Sequence, residues 1–469
     1  MSLELHPDRL FPSDPVIRDI ARRLYQQVKD LPIISPHGHT DPRWFSENKP
    51  FENPAALLIQ PDHYLLRMLY SQGISMESMG ISRRDGVAVE QDPRKIWKLF
   101  ASHYYLFRGT PTRLWLDYVF SNVFSMTEVL SEHTADLYFD HIDALLKTPE
   151  FLPRALFERF NIEVLATTES PLNDLCHHQE IQASDWQGRV ITAFRPDPVL
   201  DPVDANFVEN VAKLASITGE DTSIFSGYLA ALRQRRLFFR ERGATSTDHG
   251  HPSALTADLP RAETEKLYAG ALAGQLTAAE SELFRAQMLT EMAIMSLDDG
   301  LVMQIHPGCH RNHNTDLFTQ FGRDKGADLP VQTEYISALK PLLNKLGNDP
   351  RFSLIVFTLD ESSYSRELAP LAGHYPALKV GPAWWFHDSP EGMRRYREQI
   401  TETAGFYNTV GFNDDTRAFL SIPARHDVAR RMDCSFLAQL VAEHRLVEEE
   451  AMEVIVDLSY RLAKAAYKL

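Results

Sequence analysis

The sequence predicts a (β/α)8 barrel, and two observations lead to this fold class. Short apolar segments bounded by turn residues recur along the chain, and stretches with helical periodicity separate them. Strands that are apolar on both faces are typical of parallel sheets covered by helices, and eight of them suffice to close a barrel. The predicted strands are residues 33–39, 164–168, 190–195, 244–248, 301–306, 354–358, 380–384 and 409–412.

The uneven spacing of these strands locates the insertions. A minimal barrel needs about 250 residues, whereas this chain has 469. We expect one barrel domain over residues 1–469, with a helical insertion at 40–160 after the first strand and another at 251–299 after the fourth. In the first insertion Leu65, Leu66 and Leu69 form an apolar helical face, and Ile96 and Trp97 begin a second one. These helices are therefore expected to pack against the barrel.

Composition excludes several classes of partner. The formal net charge of -16 and the pI near 5.6 argue against binding to nucleic acid or to an anionic membrane, because both need an excess of Lys and Arg. No apolar run is long enough to span a membrane, and no export leader is evident. Cys176, Cys309 and Cys434 are widely spaced, which is typical of a reducing compartment. We expect a cytoplasmic protein that binds a small molecule, and a homo-oligomer stays open.

The clearest local signal is the triplet His37-Gly38-His39 at the end of the first predicted strand. Side chains alternate along a strand, so the two imidazoles point to the same side and can share one metal ion. Asp415, far downstream, is the candidate third ligand. Two imidazoles and a carboxylate indicate one divalent ion, and zinc is the ion expected. Surface or core histidines are the alternative interpretation of the triplet.

Polar residues stand where most of the other strands end, which is where a barrel enzyme places its chemistry. The third strand ends at Arg195, the fourth at Asp248 and the fifth at His306, and the seventh ends at Trp384. Every strand also has to meet solvent, so a structural role is an open alternative for each residue taken alone. Arg195 offers a planar fork that can bind both oxygens of a carboxylate, and Arg311 is a second candidate for that role.

Several motifs together resemble, in order and spacing, the uronate isomerases of the amidohydrolase superfamily. They are His37-Gly38-His39, Asp62-His63-Tyr64, Arg195-Pro196-Asp197, Gln304-x-His306-x-Gly308, Arg311-Asn312, Trp384-Trp385-Phe386 and Asp415-x-Arg417-x-Phe419-Leu420. The resemblance implies a distorted (β/α)8 TIM barrel of the metal-dependent hydrolase type, with the metal held by His37, His39 and Asp415. The fourth strand ends in Asp248 without the lysine or glutamate that bridges two metals in binuclear members, so a single ion is expected.

The activity implied is aldose–ketose isomerisation of hexuronates, converting D-glucuronate to D-fructuronate or D-galacturonate to D-tagaturonate by proton transfer from C2 to C1 through an enediol. Such an enzyme needs groups that open the ring, carry the proton and bind the carboxylate. We expect Tyr64 to transfer the proton, with His63 beside it and with Arg417 lowering the pKa of its phenol. Asp415 is expected to assist ring opening, and Arg195 and Arg311 are expected to bind the carboxylate. The residues expected to contact the rest of the sugar are Asp248, His306 and Trp384.

Two other functions stay open on the sequence. A mononuclear metal hydrolase of the same superfamily, such as a deaminase or lactonase, would use metal-bound hydroxide, but the sixth strand lacks the histidine that many hydrolytic members carry there. A carbohydrate-binding or scaffold protein would not need titratable residues at so many strand ends. The sequence does not decide between glucuronate and galacturonate.

Overall fold

Seven parallel strands form the central sheet of the computed structural model, which describes residues 1–469. Their order in the sheet is β1-β2-β3-β4-β5-β8-β9, and β6 and β7 form a separate antiparallel pair. The bounds are β1 Ile33–Ser35, β2 Ile162–Glu169, β3 Arg189–Phe194, β4 Ser246–His249, β5 Val302–Ile305, β6 Cys309–His310, β7 Leu329–Pro330, β8 Leu354–Val356 and β9 Leu378–Val380.

An irregular segment takes the eighth position of the barrel. The predicted strand at 409–412 forms no ladder and makes only a bridge between Thr409 and Val380 of β9. Gly411 has a φ of +74°, which interrupts the extended backbone that a strand requires. Further along, the backbone N–H of His39 donates to the carbonyl of Thr416 at 3.1 Å and so connects this segment to the first strand position. The predicted (β/α)8 class is confirmed in this distorted form.

Some strand boundaries differ from those predicted. The seventh strand was expected at 380–384, but β9 ends at Val380 because Gly381 packs against the Phe357 ring and Pro382 has no N–H for a ladder. The strand predicted to continue to His39 ends at Ser35, directly before Pro36. In both cases the polar residues counted as strand ends lie on loops that leave the barrel mouth.

The helices lie around this sheet, and α1 spans Pro15–Val28. Between β1 and β2 lie α2 Pro42–Glu47, α3 Pro54–Leu58, α4 His63–Tyr70, α5 Pro93–His103, α6 Pro111–Tyr118, α7 Ala135–Leu146 and α8 Pro153–Arg159. Between β2 and β5 lie α9 Cys176–Ala183, α10 Asp197–Leu200, α11 Phe207–Thr218, α12 Phe225–Arg240, α13 Arg261–Leu272 and α14 Ala278–Asp299. After β6 come α15 Thr315–Phe321, α16 Ile336–Leu346, α17 Ala369–Ala372, α18 Pro390–Ala404, α19 Ile422–Ala442, α20 Glu448–Val456 and α21 Leu462–Ala466.

The helices between β1 and β2 build a large apolar core of their own against the barrel wall. Leu65 and Leu69 of α4 and Trp97 of α5 are fully or almost fully buried in it. Ile162 of β2 and Val190 of β3 belong to the same apolar cluster, so the inserted helices contact the outer face of these strands. A second apolar cluster packs against the same face of the sheet along β3, β5, β8 and β9, and a smaller one joins α1, α19 and α20.

No helix combines the length and the apolar content that crossing a lipid bilayer would demand.

Candidate active site

One cavity of about 590 Å³ opens where the barrel strands end. All the predicted site residues except Asp248 line it, although they come from remote parts of the chain. These lining residues are His37, His39, His63, Tyr64, Arg195, His306, Arg311, Trp384, Asp415 and Arg417. The cavity is large enough for a monosaccharide, and most of the residues that line it are polar or charged.

His37, His39 and Asp415 converge at the floor of this cavity. Nε2 of His37 lies 3.4 Å from Oδ1 of Asp415, and Nε2 of His39 lies 3.2 Å from the same oxygen. Asp415 has a φ of +37°, a left-handed conformation that is rare for a residue with a side chain and that tends to occur at functional sites. The two histidines hold the pKa of Asp415 well below its usual range, against the opposing effect of burial.

This group fits a divalent metal ion. One donor atom from each residue lies within 4.8 Å of the other two, and Oδ1 of Asp415 is buried without a hydrogen bond in good geometry. Two imidazole nitrogens and one carboxylate oxygen are a donor set that Zn²⁺ accepts, and three protein ligands leave a further position open. The structure therefore contains a His and Asp group that could hold a metal.

Trp384 positions Asp415 rather than presenting an open face to the cavity. Its Nε1–H donates to Oδ2 of Asp415, which leaves the other oxygen directed at the two histidines. The indole ring is 6% exposed and packs on the rings of His306 and Phe357, with centroids 5.0 and 5.4 Å apart. Trp385, the next residue, also lines the cavity, with the Arg311 guanidinium 5.3 Å from its ring centroid.

Asp248 lies behind the cavity wall, and this corrects its predicted contact with sugar hydroxyls. Its side chain is 0% exposed, with Oδ1 2.9 Å from Nε2 of His306 and Oδ2 3.3 Å from Nη1 of Arg195. Arg195 also donates from Nε to Asp197 at 2.9 Å. These acids hold the guanidinium at the end of β3, where it contributes to the cavity lining. Asp248 thus forms close charge contacts with Arg195 and His306 from behind the wall.

Tyr64 enters the cavity from the start of α4. Asp62 caps this helix by accepting hydrogen bonds from the backbone N–H groups of Tyr64 and Leu65, which fixes the first turn beside the barrel mouth. The phenol donates to Asp388 at 3.0 Å, and Nη1 of Arg425 lies 2.9 Å from the same carboxylate. A chain of contacts therefore runs from the cavity through Tyr64 to Asp388 and Arg425.

The predicted effect of Arg417 on Tyr64 is wrong in this structure. Burial and the nearby carboxylate of Asp388 raise the pKa of the phenol well above its ordinary value. Arg417 pairs with Asp324 at 3.1 Å, on the loop that connects β6 and β7. Tyr64 therefore keeps its proton at neutral pH. Its neighbour His63 stacks on its ring, and burial lowers the pKa of that imidazole to about 3, so His63 is neutral.

Several residues of the cavity were not found from the sequence. Asp388 follows the Trp-Trp-Phe motif closely and could have been found by that proximity. Arg425 lies within the long helix α19, where no local pattern separates it from other helical arginines. Asp197 lies in the Arg195-Pro196-Asp197 motif, which by itself does not indicate a role for the carboxylate. Glu169, at the end of β2, lines the cavity, and burial raises its pKa to about 7.

Comparison with known proteins assigns the chain to a family. The family model described as glucuronate isomerase matches residues 15–467. The chain is 67% identical over 467 residues to a uronate isomerase of Xanthomonas axonopodis pv. citri, covering 100% of this chain and 99% of the relative. Among solved structures, glucuronate isomerase from Caulobacter crescentus has a TM-score of 0.98 at 63% identity, covering 100% of this chain and 98% of that one.

A more distant structure supports the same assignment. Uronate isomerase from Thermotoga maritima has a TM-score of 0.92 at 27% identity and is covered to 99%, as is this chain. The barrel and its insertions are therefore shared even with a protein in which most residues differ from those of this chain. With a family model matched over nearly its whole length and relatives well above half identical, this chain belongs to the glucuronate isomerase family and is an isomerase.

Proposed function

We propose that the protein interconverts the aldose and ketose forms of a hexuronate, D-glucuronate with D-fructuronate or D-galacturonate with D-tagaturonate. The observation that carries the proposal is one cavity lined by a guanidinium for a carboxylate, a phenol backed by a carboxylate, and an Asp and His group suited to a metal. The deaminase or lactonase alternative lacks support, because the relatives are isomerases over the full chain.

Arg195 is proposed to bind the substrate carboxylate. The Nε–H of its guanidinium donates to Asp197, and Nη1 lies near Asp248. These two contacts fix the orientation of the guanidinium and therefore of its two Nη groups. A guanidinium binds a carboxylate through two parallel hydrogen bonds, which fixes the far end of the sugar and directs C1 and C2. Arg311, 37% exposed and paired with Asp328 at 3.0 Å, is the second cation available to this end of the substrate.

Tyr64 and Asp388 are proposed to move the proton between the two carbons. As the C2–H bond breaks, the phenol oxygen takes that proton while its own hydroxyl hydrogen passes to Asp388. The electron pair forms the C1–C2 double bond and the C1 carbonyl oxygen becomes an enediolate oxygen, to which the proton of the C2 hydroxyl then passes. The return of the proton to C1 reverses the relay and leaves the carbonyl at C2. Arg425 stabilises the carboxylate of Asp388 before and after the transfer. Arg417 then acts on the substrate oxygens rather than on Tyr64.

Asp415 is proposed to assist ring opening and to bind one divalent ion, Zn²⁺, together with His37 and His39. Bound there, the ion would supply a positive charge for substrate oxygens. Trp384 fixes the orientation of Asp415 by its Nε1–H. His63 and His306 complete the wall as neutral or paired imidazoles. With three unlinked cysteines and a small polar substrate, we propose that the reaction takes place in the cytoplasm.

Product analysis tests this function. The purified protein is incubated with D-glucuronate, with D-galacturonate, and with a lactone and an amide as hydrolase substrates, and products are followed by proton NMR. We expect a ketose from at least one uronate and no hydrolysis. Tyr64→Phe should lower kcat by at least 100-fold, whereas Tyr70→Phe, an exposed tyrosine on the same helix, should leave it unchanged. Hydrolysis without any ketose would contradict the proposal.

A further inference from the structure

A second group of potential metal ligands lies behind the cavity wall. Asp197 begins α10, His249 ends β4 and His251 follows two residues later. One donor atom from each of these residues lies within 4.8 Å of the other two, and Nε2 of His251 is 4.0 Å from Oδ1 of Asp197. The group shares no residue with His37, His39 and Asp415.

Strand alternation separates this group from the first one. Asp248 and His249 are neighbours on β4, so their side chains point to opposite faces of the sheet. Asp248 reaches His306 and Arg195, whereas His249 lies on the side of Thr247, whose hydroxyl is 3.0 Å from its Nε2. Of the three residues in the group, only Asp197 lines the cavity.

The histidines of this group have unsatisfied nitrogens. His251 is 5% exposed and neither of its ring nitrogens has a hydrogen-bond partner, and Nδ1 of His249, 0% exposed, has none either. Buried polar atoms in proteins are almost always paired, and an ion is one of the few partners that can satisfy several of them at once. One ring nitrogen of each histidine lies within 4.8 Å of a carboxylate oxygen of Asp197.

The charges around His251 favour a cation. Three carboxylates and one guanidinium group act on it, and a second guanidinium group is bonded to one of these carboxylates, which leaves one excess negative charge while the imidazoles are neutral. The groups are Asp197, Asp201, Glu282, Arg195 and Arg285. Asp201 and Glu282 are paired with Arg285, and Oδ2 of Asp197 is bonded to Arg195. Oδ1 of Asp197 accepts one backbone N–H, from Gly250 at 3.2 Å, and has a second lone pair that can bind an ion while Oδ2 keeps its arginine.

We propose that Asp197, His249 and His251 bind a second transition-metal ion of the zinc class. Imidazole donors select such ions over Mg²⁺ and Ca²⁺, which prefer oxygen ligands. Donor atoms in a tetrahedral zinc site lie about 3.3 Å apart, so the 4.0 Å between His251 and Asp197 closes by a small rotation of the imidazole. Because Asp197 also bonds Arg195, this ion holds the proposed carboxylate-binding guanidinium in place and is not itself in contact with substrate.

Metal stoichiometry tests the proposal and does not depend on the proposed function. The protein is freed of metal with a chelator, loaded with Zn²⁺ or Co²⁺, separated from free ions and measured by mass spectrometry for metal per chain. We expect two ions in the unmodified protein, one in His251→Gln and one in the double variant His37→Gln/His39→Gln. The last variant loaded with Co²⁺ should show the visible absorption of cobalt bound to nitrogen at the second site alone.

His178→Gln is the matched control. His178 is equally buried, but its Nε2 lies 2.9 Å from the hydroxyl of Thr167 and it belongs to neither group, so the variant should keep two ions. His249→Gln replaces His251→Gln if the latter does not fold, and it should also lose one ion. One ion in the unmodified protein, removed by His37→Gln/His39→Gln and unaffected by either variant of the second group, would overturn the proposal.

Discussion

The position of Arg195 predicts a specific effect of its replacement on KM. Replacing it with Met removes a charged fork, and hydrogen bonds to charged groups contribute about 1.5–3 kcal/mol each. We therefore expect Arg195→Met, which loses both bonds of the fork, to raise KM for the uronate by about 100-fold or more, measured by steady-state kinetics. Arg195→Lys should be intermediate, because it keeps the charge without the fork. An unchanged KM in a folded Arg195→Met protein would remove this residue from carboxylate binding.

Glu169 makes a prediction about stability and pH. Burial raises its pKa from 4.5 to about 7, so the folded protein keeps this proton over a range in which the unfolded chain releases it. The contribution of Glu169 to stability is therefore lost as pH rises from 4.5 through 7. Glu169→Gln should be more stable than the unmodified protein by about 1–3 kcal/mol at pH 8, with the difference vanishing near pH 4.5, measured by denaturant unfolding.

The exposed Glu132 provides the control for that experiment, because it makes no ion pair or hydrogen bond through its side chain. Glu132→Gln should show the same small difference from the unmodified protein at both pH values. If Glu169→Gln behaved in the same way, the carboxyl at the end of β2 would not carry a raised pKa.

At the scale of elements, the first turn of α4 decides where Tyr64 lies. Asp62→Ala removes the N-cap and should cost about 0.5–2 kcal/mol of stability together with a large loss of kcat, whereas Asp62→Asn keeps an acceptor and most of the activity. Asp92 caps α5 in the same insertion, away from the cavity, so Asp92→Ala should cost similar stability at unchanged kcat. Equal kinetic effects of the two alanine variants would contradict this role of the cap.

Hydrophobic periodicity predicted those helices and strands that depend only on the residues within the element itself. The apolar faces of α4 and α5 and the ladders of β2 and β5 follow from residue patterns within each element. The seventh and eighth strands were misjudged because Gly381 and Gly411 end or prevent extended pairing through contacts and backbone angles that the pattern does not contain.

Some contacts of the candidate site could be predicted from the sequence, and others could not. The proximity of His37, His39 and Asp415 could be predicted from the His-Gly-His motif and from the geometry of a barrel. The pairing of Tyr64 with Asp388, and of Arg417 with Asp324, depends on how inserted helices and loops cross the barrel mouth. No local rule specifies contacts between residues separated by hundreds of positions. The predicted site residues other than Asp248 therefore line one cavity, whereas the charged group that bonds Tyr64 is Asp388 and not Arg417.

At the scale of the whole molecule, the expectation of a single domain over residues 1–469 stays a prediction. Leu69 is buried in the cluster of the inserted helices and Leu354 in that of the barrel, both at 0% exposure. Changing either to Ala should cost about 2–5 kcal/mol. If the insertion and the barrel form one cooperative unit, calorimetry should show one transition that both substitutions shift. Two transitions, each moved by only one substitution, would show separate domains.

Proton transfer between C2 and C1 of a hexuronate in this cavity can be followed by incubating the protein with the substrate in deuterium oxide. Hydroxyl and carboxyl protons of Tyr64 and Asp388 exchange with solvent, so repeated turnover should place deuterium at C1 of the ketose and at C2 of the recovered aldose, and at no other carbon, as read by NMR. Ketose that reaches equilibrium without deuterium at C1 would contradict the account.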